Sequence, residues 1–318
     1  YSPSTCLLHK LLYMLGGIKL LLNKIIVTNY GDNSISIINK DDSSQINAID
    51  LKTIIPSPAG ATRVLLEGKQ NLLILNSDND SLYRIDIKEM KLLNQISLGC
   101  SPIRMKTFRD KVYVVNIDSN SLSIIDKHNL DIIENIYIGE KPTDLAVDEI
   151  SGKVYITNLN SYSISVIDYE IDNIEDIKLT FMPFRIKVEL GIIYVLGFLN
   201  NHSLRHSILS SLNTEKKKPI WTEIIDGIYF DFIKHNAKEC FYMVDSENSW
   251  LYEFDKFTEI NNRKTYIGGL TNFINYDDFN YLYLNDMVNN QIIVIDIDKN
   301  QIKKRITVGK EPHDILLT

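Results

Sequence analysis

Cysteine, histidine and unbroken apolar sequence are all scarce in this 318-residue chain, and each scarcity removes a class of protein. The 3 cysteines, Cys6, Cys100 and Cys240, lie far apart and are odd in number, so no disulfide framework forms from them and one thiol is left over. That suits a reducing compartment better than a small stapled scaffold. No C-x-x-C or haem-attachment spacing occurs. Basic residues number 34 against 41 acidic ones, for a net charge of -7. A nucleic-acid partner, which needs a basic face to displace counterions from phosphates, is therefore not expected. The longest apolar tract, "LLHKLLYMLGGIKLLL" from Leu7 to Leu22, is broken by His9, Lys10, Lys19 and Gly16-Gly17, whereas a bilayer span takes ~20 apolar residues. No transmembrane span is expected. Also missing are the G-x-S-x-G elbow, a phosphate-cradling glycine loop and H-E-x-x-H.

What the sequence does contain is a repeat. "KVYITNLNSYSISVID" (Lys153 to Asp168) is nearly restated by "KVYVVNIDSNSLSIID" (Lys111 to Asp126), and the same frame returns at Lys24–Asn39, Asn71–Asp86, Cys240–Asp255 and Tyr281–Asp296. A degenerate copy fills Ile192 to Ser207. The 7 frames end at 39, 86, 126, 168, 207, 255 and 296, with spacings of 47, 40, 42, 39, 48 and 41. Those spacings bracket the ~40 to 45 residues of a four-stranded propeller blade. Helical repeats are excluded because the runs are short, rich in Val, Ile and Tyr, and broken every few residues by Asn, Asp, Ser and Gly.

Each repeat reads as four strands. The first follows a Gly-x-x-Pro turn as in "GEKPTDLAV", the second is the "KVYIT" run, the third "SISVID", and the fourth a looser run such as "DIIENIYIG". Middle strands apolar on both faces fit sheets sandwiched between neighbouring blades. The glycines at 99, 139, 268 and 309 are expected to supply unusual backbone conformations where the chain returns to the axis. Asp32, Asp78 and Asp118 lie in the hinge between second and third strands, where Asx turns explain them and calcium is the alternative.

The fold expected is all-β, a seven-bladed β-propeller over residues 24–318 preceded by an extension over residues 1–23. In that extension Leu7, Leu8, Leu11, Leu12 and Leu15 share one helical face, with Ser4 or Thr5 as N-cap and Gly16-Gly17 as the stop. Packing on its own domain, a signal-peptide remnant and a partner-docking arm are the readings open for it. No signal peptide is visible, and cytoplasmic and cell-surface locations both stay open. The sequence finishes on "GKEPHDILLT", a first strand without a second, so His313 to Thr318 is expected to become the innermost strand of the Lys24 blade and close the ring. Gly17 to Leu22 competes for that place.

"KIIVTN", "KVYVVN" and "KVYITN", each followed by a Ser-rich hinge and "SIIN", "SIID" or "SVID", with Gly-x-x-Pro between repeats, resemble the YVTN-type β-propeller repeat family. The resemblance spans residues 24 to 318 and is strongest in the blades carrying Asp126, Asp168 and Asp296; the Cys240 and Tyr281 frames also look like NHL-type repeats. It implies seven blades, and surface or extracytoplasmic binding proteins as relatives.

Function is sought at the channel mouth, where the inter-blade turns and hinges converge. Aligned on the Gly-x-x-Pro turn, the second residue after the proline position reads Arg63, Arg104, Asp144, Arg185, Tyr229, Phe273 and Asp314. Such a ring can bind a carboxylate, a phosphate or an acidic segment, because guanidinium offers a planar fork of donors. Equally, its charges can pair with one another around a wet channel. Of the 6 histidines only His313 falls at an expected mouth position. His202 and His206 would stand ~13 Å apart along a strand, so no zinc site is expected from them. No cofactor is implied. "EKKKP" at Glu215 to Pro219 reads as a solvated turn, and the divergent stretch Thr180 to Ile224, with Phe181, Met182, Phe184, Phe198 and Trp221, as a blade released for partner contact or simply drifted. The expectation is a noncatalytic binding or assembly scaffold for an unidentified protein partner, at a cell surface or in a larger assembly. The alternative is a propeller lyase or lactonase-type enzyme acting on a small anionic ligand through Arg63, Arg104, Arg185 and His313.

Overall fold

The computed structural model describes residues 21, 23–42, 45–55, 60–168, 173–199, 206–255 and 263–318. The helix expected in the N-terminal extension, His9, Cys6 and His202 lie outside the described residues. Among the described residues, twenty-eight strands form seven four-stranded antiparallel sheets, each sheet one blade of a β-propeller. Blades 2 to 7 are each built from consecutive strands, with innermost strands Ala61–Glu67, Pro102–Phe108, Pro142–Asp148, Met182–Glu189, Tyr229–His235 and Ile274–Tyr276. Blade 1 takes its innermost strand from the far end of the chain. Pro312–Leu317 pairs antiparallel with Lys24–Asn29, setting Val27 opposite Ile315 and Thr28 opposite Asp314, and the Lys24 amide donates to Thr318 Oγ1 at 3.0 Å. The C-terminal strand closes the ring; of the competing stretch Gly17–Leu22 all but Leu21 lies outside the described residues.

The repeated second strand owes its composition to being packed on both faces. Val154 and Ile156 join the core shared with blade 3, beside Tyr113 and Val115, while Tyr155 between them faces blade 5 and packs with Phe181 and Val195. Each such side chain removed from water is worth ~1.5 to 3 kcal/mol. A polar residue in the run would face a core whichever way it pointed.

The asparagine that ends the run is buried too, and serines of the third strand accept from its side-chain nitrogen, while its side-chain oxygen is left without a partner among the described residues. Asn158 Nδ2 donates to Ser163 Oγ at 3.2 Å and Ser165 Oγ at 2.8 Å. Asn116 does the same to Ser121 and Ser123, and Asn29 to Ser34 and Ser36. The aspartate that closes the third strand serves the next turn instead. Asp126 Oδ1 accepts the amides of His128 at 2.7 Å and Asn129 at 3.2 Å, capping the turn to the fourth strand.

The glycines of the Gly-x-x-Pro turn are required for space rather than backbone freedom. A Cβ on Gly139 would lie 2.6 Å from the Asn158 side chain, and one on Gly309 2.6 Å from Asn29. The left-handed residues of these turns are instead Ser101, Lys141 and Glu311, with φ of 53°, 50° and 51°. Among Gly99, Gly139, Gly268 and Gly309, only Gly268 has positive φ, at 65°. The hinge aspartates also differ from simple Asx turns, for they reach across blade boundaries. Asp32 Oδ2 accepts the Lys310 amide, Asp118 takes the Lys141 ammonium at 2.6 Å, and Asp78 accepts the Tyr30 hydroxyl at 2.8 Å.

Candidate functional site: the central channel

Six of the seven innermost strands carry a β-bulge where they enter the channel, so the register slips by one or more residues just past the proline position. A bulge kinks the strand and re-aims the next side chain. In blades 1 to 5 the residue so aimed is Asp314, Arg63, Arg104, Asp144 and Arg185, all lining a central cavity of ≈ 550 Å³ together with Phe273 of blade 7.

Tyr229 does not join them. It is 1% exposed, packs edge-on against Tyr252 and Phe254, and sends its hydroxyl to the Asp226 carbonyl at 3.2 Å. The blade 6 position is Asp231. No proline marks the entry to this blade; Tyr229 itself stands opposite Asp245 as Pro102 stands opposite Asn116. The pairing of Tyr229 with Asp245, which no proline marks in the sequence, is what locates Asp231 two residues further on.

With that substitution the ring becomes three pairs across neighbouring blades. Arg104 Nε lies 3.1 Å from Asp144 Oδ1, Arg185 Nε 3.8 Å from Asp231 Oδ1, and Arg63 Nη1 3.9 Å from Asp314 Oδ1. Seven positions leave one unpaired, and it is the uncharged Phe273, whose ring lies 5.3 Å from the Arg63 guanidinium. Each aspartate spends its other oxygen on the next blade: Asp314 Oδ2 accepts the Val64 amide at 2.9 Å, Asp144 Oδ2 that of Ile186 at 3.0 Å, and Asp231 Oδ2 that of Ile274 at 3.2 Å. The ring is therefore first an inter-blade clamp.

Burial weighs on both signs of charge. It pushes the Asp314 carboxyl up to about 6, against the Val64 amide and Arg104, which pull it down. It also pushes the Arg185 guanidinium down to about 10, helped by the Arg104 charge. Two residues below each of these arginines, on the same strand face, stand Lys106 and Lys187, which also line the cavity. The repeated R-x-K at 104–106 and 185–187 is the sequence signal for them.

His313 turns away from the cavity, its ring stacked on Tyr30 with centroids 4.9 Å apart, as expected for a strand neighbour of Asp314. Phe184, Phe198 and Phe230 gather at the same end of the channel, with centroids 5.3 to 6.1 Å apart, and the Arg185 guanidinium lies 4.1 Å from the Phe184 ring. All three rings are half-buried. The divergent blade 5 owes its lost motif to an exchange of volumes. Gly197 stands opposite Pro183 as Asn158 stands opposite Pro142, and Phe181 fills the room, leaving 2.7 Å to a Cβ at Gly197. Trp221 packs toward blade 6 against Phe241.

Among the described residues, no three His, Cys, Asp or Glu side chains gather closely enough to hold a metal ion, and no helix is long and apolar enough to cross a membrane.

Neither a protein-family model nor a curated protein sequence matches the chain. Solved structures do. It is similar to a putative 6-phosphogluconolactonase from Bacteroides uniformis, at 12% identity and a TM-score of 0.71 over 93% of this chain and 100% of that one. A functionally unknown protein from Desulfotomaculum acetoxidans gives 12% and 0.71 over 93% and 98%. The dihydro-heme d1 dehydrogenase NirN gives 12% and 0.66 over 93% of this chain and 75% of that one. At this identity the likeness is one of fold, and that fold carries both enzymes and proteins of unknown function.

Proposed function

We propose that this protein is a noncatalytic binding propeller of YVTN type, and that it engages a protein partner with the channel end where Phe184, Phe198 and Phe230 meet. The observation that carries this reading is the aromatic trio itself, with Arg185 laid across it. Rigid aromatic rings beside arginine, half-buried at a rim, have the composition of the residues that dominate protein contact energies. A cell-surface or multi-subunit setting is consistent with it. The lyase or lactonase reading is less well supported, because His313 faces Tyr30 and the ring arginines are drawn into pairs with their neighbours' aspartates.

Site-specific photocrosslinking in extract of the native host tests the proposal. A photoreactive phenylalanine at position 198 or 230 should give a discrete protein adduct that Phe184→Ser abolishes. The same probe at the exposed Phe279, in a turn at the opposite end, should give none. An adduct formed only from position 279 would sink the reading.

A further inference from the structure

We propose that the middle of the channel, between Lys106 and Lys187, binds a small multivalent oxyanion, a free phosphate-bearing or polycarboxylate molecule, independently of any protein partner at the rim. The claim rests on an imbalance of charge and hydrogen-bonding capacity. Arg63, Arg104, Arg185, Lys106 and Lys187 face only Asp144, Asp231 and Asp314 in the upper section of the cavity, an excess of two positive charges, 5 against 3. Those three carboxylates each give one oxygen to a backbone amide, and Asp231 gives both. Acceptors are thus nearly used up while donors are not. The buried Nε atoms of Arg63 and Arg185 have no hydrogen-bond partner, and neither lysine has an ion-pair or hydrogen-bond acceptor among the described residues. Lys187 Nζ instead lies 5.6 Å from the centre of the Phe232 ring.

The cations are also arranged around a space. Arg104 and Lys106 belong to blade 3, Arg185 and Lys187 to blade 5, and the strand between them offers Asp144 above and only the methyl of Ala146 below. A cavity of ≈ 550 Å³ is within the ~300 to 1,000 Å³ range of small-molecule sites. Burial lowers the Lys187 pKa, while Asp231 and Asp144 raise it against Lys106 and Arg185, so an anion placed beside Lys187 offsets the cost of burying its charge. Polarity along the channel fixes the direction of entry. At the far end Glu149, Glu189 and Asp278 outnumber Lys234, which Glu189 already pairs at 3.2 Å, so an anion is repelled there and held in the upper section.

Titration of the full chain with inorganic phosphate and, separately, with tricarballylate, followed by isothermal calorimetry and thermal unfolding, tests the inference. Sodium chloride at matched ionic strength is the control. The expected result is saturable binding and a rise in Tm with at least one of the two anions beyond the chloride effect; which anion saturates at lower concentration tells phosphate from carboxylate chemistry. Lys106→Met with Lys187→Met should weaken binding about tenfold or more, as expected for charge-assisted contacts within a channel. Ala146→Leu, which fills the space with every cation left in place, should do likewise, while both variants keep cooperative unfolding. Responses no larger than those to chloride overturn the proposal. So does saturable binding that survives both variants.

Discussion

Asp314 offers the sharpest test of the channel's electrostatics. Its carboxyl is raised to about 6 by burial, against ~3.9 in an unfolded chain. Ionising it is therefore harder in the native state, and the sign follows: its contribution to stability is intact below pH ~4, is lost as pH rises through about 6, and stays lost above. Asp314→Asn keeps an oxygen for the Val64 amide but cannot ionise. Other carboxylates titrate over the same range, so the quantity to follow is the difference between variant and wild type. Urea unfolding followed by the fluorescence of Trp221 and Trp250, in buffers from pH 4 to 7.5 at constant ionic strength, should show the variant gaining ~2 to 3 kcal/mol relative to wild type across that range. Most of the gain should fall between pH 4 and 6. A flat difference would mean that Arg63, 3.9 Å away, and the Val64 amide compensate the burial fully, and the reasoning would fail.

Gly139→Ala places a methyl against Asn158 and should cost ~1 to 3 kcal/mol; combined with Asn158→Ala the loss should be smaller than the sum, as a double-mutant cycle in urea will read. Asp144→Ala leaves both the Arg104 guanidinium and the Ile186 amide without their acceptor, and should lower stability by ~3 kcal/mol, with Asp144→Asn milder because its oxygen still meets the amide. Deleting residues 312–318 strips the innermost strand from blade 1. Hydrogen exchange should then accelerate in residues 24–39 far more than in 111–126, and a synthetic peptide of residues 309–318 should restore part of the protection.

The architecture is legible in the sequence because it rests on composition. Seven frames, six of them ending in Asn or Asp, with apolar residues on both faces have few other ways to satisfy burial, and the closing strand is visible as a first strand without a second. The ring is legible where proline anchors the alignment, at Arg104, Asp144, Arg185 and Asp314. It slips at blade 6, where Tyr229 takes the proline position and the bulge spans Tyr229 to Phe232. Gly139 reads as a backbone device because its steric partner, Asn158, is 19 positions away and becomes a neighbour only once the second strand is laid down. The pairing of arginines with aspartates is hidden for a similar reason. Which of two neighbouring blades an arginine leans toward depends on side-chain geometry that no spacing records.

The strand exchange that completes blade 1 sets an order of events in the cell. Lys24–Asn29 is the first strand of the ring to leave the ribosome and Pro312–Leu317 the last. At ~5 to 20 residues per second the gap between them is tens of seconds, during which blade 1 waits with an uncovered strand edge. Blades 2 to 6 can assemble locally in that interval, but the circle has a beginning that only its end can finish. A chain stalled in blade 7 would consequently present a nearly whole propeller with one open seam, a form that a chaperone could recognise by that edge alone.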